Sequence, residues 1–563
     1  MSKTCTIALI LALSGLATAQ KPVAHLPQVY INSTYNLPTG GTTWAVHTSA
    51  QLSSAITASA PGDVIVLDAG ATYRGSFVLP AKANPNNKWI YVVSSAIASL
   101  PAGTSVSPAS AVNMPKIVTP TVAAAFQVNG GANHWRLIGL ELTAASNYPA
   151  GCPGNGQNCM TYFLMGSQSN PTPEPDSITI DRCYIHGSPT QDLQSAVQMH
   201  ASSYAVVDSY IDDVHMKGTD SVGLLSCWSP GPIKITNNYV AASSENILFG
   251  GCAGPSTPWV PSDITVTGNY LFKPLAWVPL STGTGAAMVV KDAFELKSAQ
   301  RVLFDSNTIE NVWAAGQTGF AIVLTVRTSQ SGDIAVVNDV TITNNVLKNV
   351  VSGINTAAAD NTCSPAYGYP NCHNAGSQDR WYIANNLMTF YDPTQLGGSH
   401  NLGFQPQMGT DSINGINVPL RDVVFQHNTM VAAASTPCYQ SVYFSTANMV
   451  RPIAHVTTNV WILDNVLCRQ PTGDWGYVGA SGMTQYMGDP STPPYDLTQR
   501  YYGNVMYVPP GEKLQTWPLH SYATTLPFSY ANSAITNYQI LTLKRTDTSD
   551  GKLAGINFVA LPH

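Results

Sequence analysis

Glu245, Glu295, Lys297 and Arg327 lie in segments rich in β-branched and apolar residues, where strands are expected. Only 10% of the 563 residues are charged, with 25 Lys and Arg against 31 Asp and Glu. Soluble chains usually carry about a quarter. A charge at a strand centre therefore asks for a chemical reason. Two carboxylates, an ammonium and a guanidinium can do two kinds of work on a sugar polymer. In β-elimination at a uronate, Arg327 clamps the sugar carboxylate with paired hydrogen bonds. Lys297 takes the proton next to that carboxylate, provided burial or a neighbouring cation lowers its pKa. Glu245 and Glu295 hold a Ca²⁺ through oxygen ligands. In hydrolysis, Glu245 and Glu295 instead flank the glycosidic bond as acid and base. The same charges can also form a plain ladder of ion pairs on an exposed sheet.

Alternation assigns the faces of these segments. In Phe294-Glu295-Leu296-Lys297 the apolar pair points inward, which leaves Glu295 and Lys297 outside. From Phe320 to Arg327 the same rule puts Thr325 and Arg327 outside. Lys297 and Arg327 are 30 residues apart, which makes them candidates for vertical neighbours. Gln198 and His200 face outward beside inward Val197 and Met199. The register at Glu245 is ambiguous. Trp228, Trp259, Trp277 and Trp313 fall in connecting segments, where rings either stack on sugar faces or pack against the protein. Gln198, His200, Trp228, Trp259 and Trp313 are the candidate substrate contacts. The long connections 144–176, 250–262, 355–380 and 391–420 are expected to wall a groove.

The segments that carry these residues belong to a repeat. Short alternating runs end in an Asn that is followed by two more residues of strand type. Examples are Ile233-Lys-Ile-Thr-Asn-Asn238, Val340-Thr-Ile-Thr-Asn-Asn345 and Trp381-Tyr-Ile-Ala-Asn-Asn386. The Asn positions from 238 to 465 are spaced by 31, 38, 38, 41, 42 and 37 residues. Weaker copies place Cys183 and Ser209 at the Asn position, and Asn504 is a further copy. A period of this size indicates a solenoid or propeller. One strong strand, a polar turn and a second apolar stretch per unit suit a parallel β-helix. The Asn is expected to occupy a left-handed bend and to form an amide ladder from coil to coil. With 44 Gly and 39 Pro, long helices are not expected.

A net charge of −6 offers no basic face for phosphates, so nucleic acid is not an expected partner. Lys3, the apolar run Ile7–Ala17 and Ala17-Thr18-Ala19 read as an export signal over 1–19. No later stretch reaches membrane-spanning length. Export permits disulfides. The spacing offers Cys152 with Cys159, Cys363 with Cys372, Cys227 with Cys252 and Cys438 with Cys468. Cys183 is the odd thiol, read as a small buried apolar residue.

Three regions resemble right-handed parallel β-helix proteins of the pectin-lyase-like superfamily. They are the segment from Gln51 through Pro61-Gly62-Asp63 to Pro80, the Asn array, and the tail Thr548–Gly555. The middle, from Gly231 to Gly251 and on to Phe294–Arg301, is similar to secreted bacterial β-helix repeat proteins of undefined activity. The resemblance implies a fold that hosts lyases, hydrolases, esterases and adhesins alike. The polygalacturonase pattern is missing: Asp212-Asp213 is present, but no Gly-His-Gly exists.

The expected architecture is all-β: a right-handed parallel β-helix over 45–510 with a short N-terminal cap. An extension (20–44) precedes it, and a C-terminal segment (511–563) packs on it. The expected protein is a secreted monomer, extracellular or periplasmic, that acts on an acidic polysaccharide. Polysaccharide lyase is the leading activity. Glycoside hydrolysis or non-catalytic glycan binding by an adhesin-like surface is the alternative. The sequence leaves open whether it is an enzyme. Ca²⁺ is the one expected cofactor.

Overall fold

The computed structural model describes residues 21–145, 161–167, 172–251, 259–281, 287–327, 335–359, 378–391, 402–407, 409–411, 416–418, 420–432, 439–443, 457–469, 501–508, 511, 522–524, 549–550, 552 and 554–556. The proposed signal and both members of the Cys152–Cys159 and Cys363–Cys372 pairs lie outside these. So do Cys252 and Cys438, and most of the four long connections.

The chain winds through three long parallel sheets of 14, 14 and 11 strands. Sheet A runs from Thr43–Val46 to Tyr501–Tyr502, sheet B from Thr72–Arg74 to Tyr522–Thr524, and sheet C from Phe77–Leu79 to Gln440–Val442. A typical coil passes through Ser202–Val207 in A, Tyr210–Val214 in B and Val222–Ser226 in C. It then returns to A at Ile233–Thr236. This is a right-handed parallel β-helix, the hand that crossovers between parallel strands almost always take. One antiparallel hairpin, Gly409–Asp411 with Ile416–Val418, stands outside the three sheets.

Each strand contributes alternate residues to one continuous core along the axis. The helix Ser49–Ala58 closes the first coil. It buries Leu52, Ala55 and Ile56, and Thr48 caps it by accepting from Gln51 N. In the Pro61-Gly62-Asp63 turn, Asp63 accepts from Thr42 N, Ala60 N and the Trp44 ring nitrogen.

The A-to-B bend holds the amide ladder. From Asn238 to Asn465 each side-chain Nδ2 donates to Oδ1 of the next Asn at 2.8–3.2 Å, ending on Asn504. Each Nδ2 also reaches a backbone carbonyl of the coil before, as Asn345 does at Phe304 O. Ser209 N donates to Asn238 Oδ1, and Cys183 N to Ser209 Oγ, so the weaker copies continue the column. One expectation needs correction. The left-handed residue is the one before the ladder Asn, as at Asn237, Asn344 and Asn385 with φ of 57°, 59° and 57°. The bend needs one residue there, and the next must return to β geometry to aim its amide along the axis.

Residues 21–36 form an extended strap over the outside of sheet A. Lys21 donates to Gln426 Oε1 and His25 N to Asp339 Oδ1; Gln28 N donates to Asp263 Oδ1. Ser33 accepts from Arg136 and Lys234, and the Tyr35 hydroxyl from Arg182. The strap therefore crosses the coils in the direction opposite to the chain that follows.

Candidate active site

The outward row of sheet C is set by its pairing register. Leu225, Leu248, Glu295, Val323, Asn355 and Gln405 are successive neighbours, and Gln198 precedes Leu225. Phe294 and Leu296 enter the core, so Glu295 and Lys297 are held on the outer face. Lys297 and Glu295 form an ion pair at 2.9 Å. Arg327 is half-buried on the next coil, and its backbone N–H donates to Lys297 O at 3.1 Å.

Glu245 precedes its strand, on the bend from sheet B to C, which is why strand parity left it open. Asn246 turns inward there, with Nδ2 on Val240 O and Phe272 O. Glu245 turns outward and meets Asp292 and Glu295. One carboxylate oxygen from each of the three lies within 4.8 Å of the others. All three are buried, at 0%, 1% and 2% exposure.

Three ammonium groups surround them. Lys291 pairs with Glu245 at 3.2 Å and with the half-exposed Asp220. Lys273 is fully buried and donates to the carbonyls of Ala242, Ser243 and Ser244 and to Asn246 Oδ1. It thereby pins the bend that presents Glu245. Gly251, left-handed with φ of 77°, leaves the room that the Lys297 side chain fills. A side chain at 251 would meet Lys297 Cδ at 2.1 Å.

Burial pushes the Glu245 carboxyl up to about 7, with Lys291 opposing and Glu295 adding. Burial, then Glu295 and Glu245, hold Asp292 well above the carboxylate range. Burial draws Lys273 down to about 7 against the pull of Asp292 and Glu245. Burial also lowers Lys297, but the carboxylates of Glu295 and Glu245 outweigh it and keep the ammonium above its ordinary value. A base role for Lys297 thus needs part of that negative charge offset.

The acidic trio fits a hard cation. Both oxygens of Glu245 and both of Asp292 make no hydrogen bond among the described residues. Two oxygens on one Ca²⁺ at about 2.4 Å can be no more than about 4.8 Å apart, which the trio satisfies.

The other candidates are dispersed. His200 is completely buried, stacked on Trp228 at 5.7 Å, and neither ring nitrogen has a partner among the described residues. In this state neither it nor buried Trp228 is open to a substrate. Trp259 is half-buried and packs on Trp228 at 5.6 Å. Trp313 is buried with Trp277 in a second apolar cluster, its Nε1 donating to Ser281 Oγ. Packing against the protein, not sugar stacking, explains it. Gln198 is half-buried and donates to Thr161 Oγ1 at 3.0 Å. Cys183 is a free buried thiol, pushed up to about 12 by desolvation.

Asp292, Lys291 and Lys273 were not among the residues singled out from the sequence. A signal existed for the first two: Lys291, Asp292, Glu295 and Lys297 put four charges into seven residues of a charge-poor chain. Lys273 has no comparable signal, because its partners are backbone carbonyls.

No family model matches the chain, and neither does any curated protein. Solved structures do match. An alginate lyase from Paenibacillus sp. str. FPU-7 aligns over 72% of this chain and 96% of its own, with 14% identity and a TM-score of 0.32. The PL6 family alginate lyase AlyGC aligns over 92% of this chain with 14% identity and a TM-score of 0.48; the chain spans 57% of that protein. The PL6 family polysaccharide lyase Pedsa3628 from Pseudopedobacter saltans aligns over 92% and 98%, with 13% identity and a TM-score of 0.38. These likenesses concern the fold. Among the described residues no helix is long and apolar enough to cross a membrane.

Proposed function

We propose that the protein is an exported polysaccharide lyase that cleaves acidic glycans by β-elimination. The observation that carries this is the convergence of Glu245, Asp292, Glu295 and Lys297 in one cluster, with Arg327 on the adjoining coil. Arg327 receives the substrate carboxylate. Lys297 Nζ, as the free amine, accepts the proton from the carbon beside it; a carbon–carbon double bond forms, the glycosidic C–O bond breaks, and the leaving oxygen takes a proton from water. Glu245, Asp292 and Glu295 would hold a divalent cation, Ca²⁺ by their all-oxygen character. When bound, that cation draws charge from the substrate carboxylate and offsets the negative field that keeps Lys297 protonated. A hydrolase reading is weaker, because Glu245 and Glu295 are buried against lysines rather than placed across an open bond. The staples Cys227–Cys252 and Cys438–Cys468 belong to the same reading of an exported, monomeric enzyme.

The test is the ultraviolet absorbance of the unsaturated sugar end released from acidic polysaccharides. Lys297→Ala is expected to lower kcat by roughly a hundredfold to ten-thousandfold. Chelator is expected to abolish the signal and Ca²⁺ to restore it. New reducing ends without that absorbance would replace elimination by hydrolysis.

A further inference from the structure

We infer that the site takes a polysaccharide in which the reacting uronate is flanked by uncharged sugars, rather than a polymer with a carboxylate on every sugar. This rests on the elimination reading and concerns how many anionic groups the groove can neutralise.

The argument is a census of cations. Between residues 144 and 450 the sequence has eleven Lys and Arg. The segments outside the described residues in that span contribute none of them. Most are committed elsewhere. Arg182 is buried against Asp181 and Tyr35. Arg301 and Arg380 are paired two-pronged with Asp263 and Asp339, and Arg421 lies near Asp379, all along the edge where chain enters sheet A. Lys234 holds the strap through Ser33. Lys348 pairs with Glu310 on sheet B. Lys273 is sealed under the bend.

The other four are Lys217, Lys291, Lys297 and Arg327, of which Lys291 and Lys297 are paired with Asp220, Glu245 and Glu295. Lys291 and Lys297 flank the strand of Glu295, and Arg327 follows the strand of the next coil. Lys217 bridges to Met288, three residues from Lys291. Arg327 N bonds Lys297 O. With Asp220, Glu245 and Glu295 already paired to these lysines, the cluster has little positive charge to spare beyond one substrate carboxylate.

The rest of the row offers none. On one side of Glu295 the outward neighbours are Leu248, Leu225 and Gln198; on the other they are Val323, Asn355 and Gln405. Asn355 and Gln405 bond each other at 2.9 Å. Strands in a sheet are about 4.8 Å apart, close to the advance per sugar in an extended glycan. A polymer lying along the axis therefore meets apolar and amide side chains on either side of the reacting sugar. Leu and Val suit sugar C–H faces, and amides suit hydroxyls. At the far end, a hollow of about 410 Å³ is lined by Gln127, Asn129, Ser167 and Glu174 among others, with no cation. A second and third substrate carboxylate would lie near the buried acids, with no cation in the described outward row to pair with. At about 10 Å and an effective dielectric near 20, each such repulsion weakens binding roughly tenfold.

The experiment compares kcat/KM, by absorbance of the unsaturated end, on two sets of polymers with the Ca²⁺-loaded protein. One set is polygalacturonate, polymannuronate and polyguluronate. The other has isolated uronates: a rhamnogalacturonan backbone, de-acylated gellan and hyaluronan. At least tenfold preference for a member of the second set is expected. Equal or faster elimination on the polyuronates would overturn this inference and leave the elimination reading standing. Reducing ends without the absorbance, or no cleavage of any polymer, would remove both.

Discussion

His200 carries a cost that its surroundings do not relieve. Its imidazole is buried on Trp228 with no partner among the described residues for either nitrogen, and burial holds it down to about 3. The unfolded value is about 6.5. The folded state thus binds the proton more weakly, so this contribution to stability is complete above pH 6.5 and is lost as pH falls toward 3. The loss is roughly 1.4 kcal/mol per pH unit in that window. Denaturant midpoints at pH 7 and pH 4.5 test this. His200→Phe is expected to shrink the acid loss by about 2–3 kcal/mol, and an unchanged loss would show that the ring is solvated or paired. Alternation put His200 on the outer face; the structure buries its ring on Trp228, which comes from another coil and which alternation cannot see. The same limit explains the rest of the site. Glu295 and Lys297 were legible from two inward neighbours in one strand. Asp292 was signalled only by the density of charge around it, and Lys273 not at all, since its partners are backbone carbonyls.

The amide column shows which parts of an element a repeat can and cannot reveal. The spacing of Asn238 through Asn465 was enough to expect a ladder, and Cys183 and Ser209 were visible as substitutes in it. The assignment of the left-handed bend to the same residue was one position off, because spacing does not say which of two adjacent Asn turns the chain. Asn345 donates to Asn386 and Phe304 O and accepts from Asn307. Asn345→Ala leaves those buried partners unsatisfied, so urea unfolding is expected to show a loss of about 2–4 kcal/mol. A loss under about 0.5 kcal/mol would mean that water replaces the amide and that the column contributes little.

At the scale of the whole molecule, the solenoid was legible from the recurring Asn spacing, and composition only set aside long helices. The path of the strap was not, because residues 21–36 have no periodicity and are read only by what they touch. Removing them takes acceptors from Arg136, Lys234 and Arg182 and uncovers sheet A. Buried donors left unpaired cost about 1–3 kcal/mol each. A protein that starts at residue 37 is therefore expected to melt several degrees lower, with faster amide exchange along sheet A. An unchanged melting curve would show the strap to be superficial.

The strap has a consequence for synthesis. Lys21 finds its partner at Gln426, 405 residues further along. During vectorial synthesis or export the opening segment emerges before any surface exists to receive it, and its far end docks only after the coil of Gln426 has wound. An early segment thus waits for a late one, and its docking reports that the coils up to Gln426 have wound.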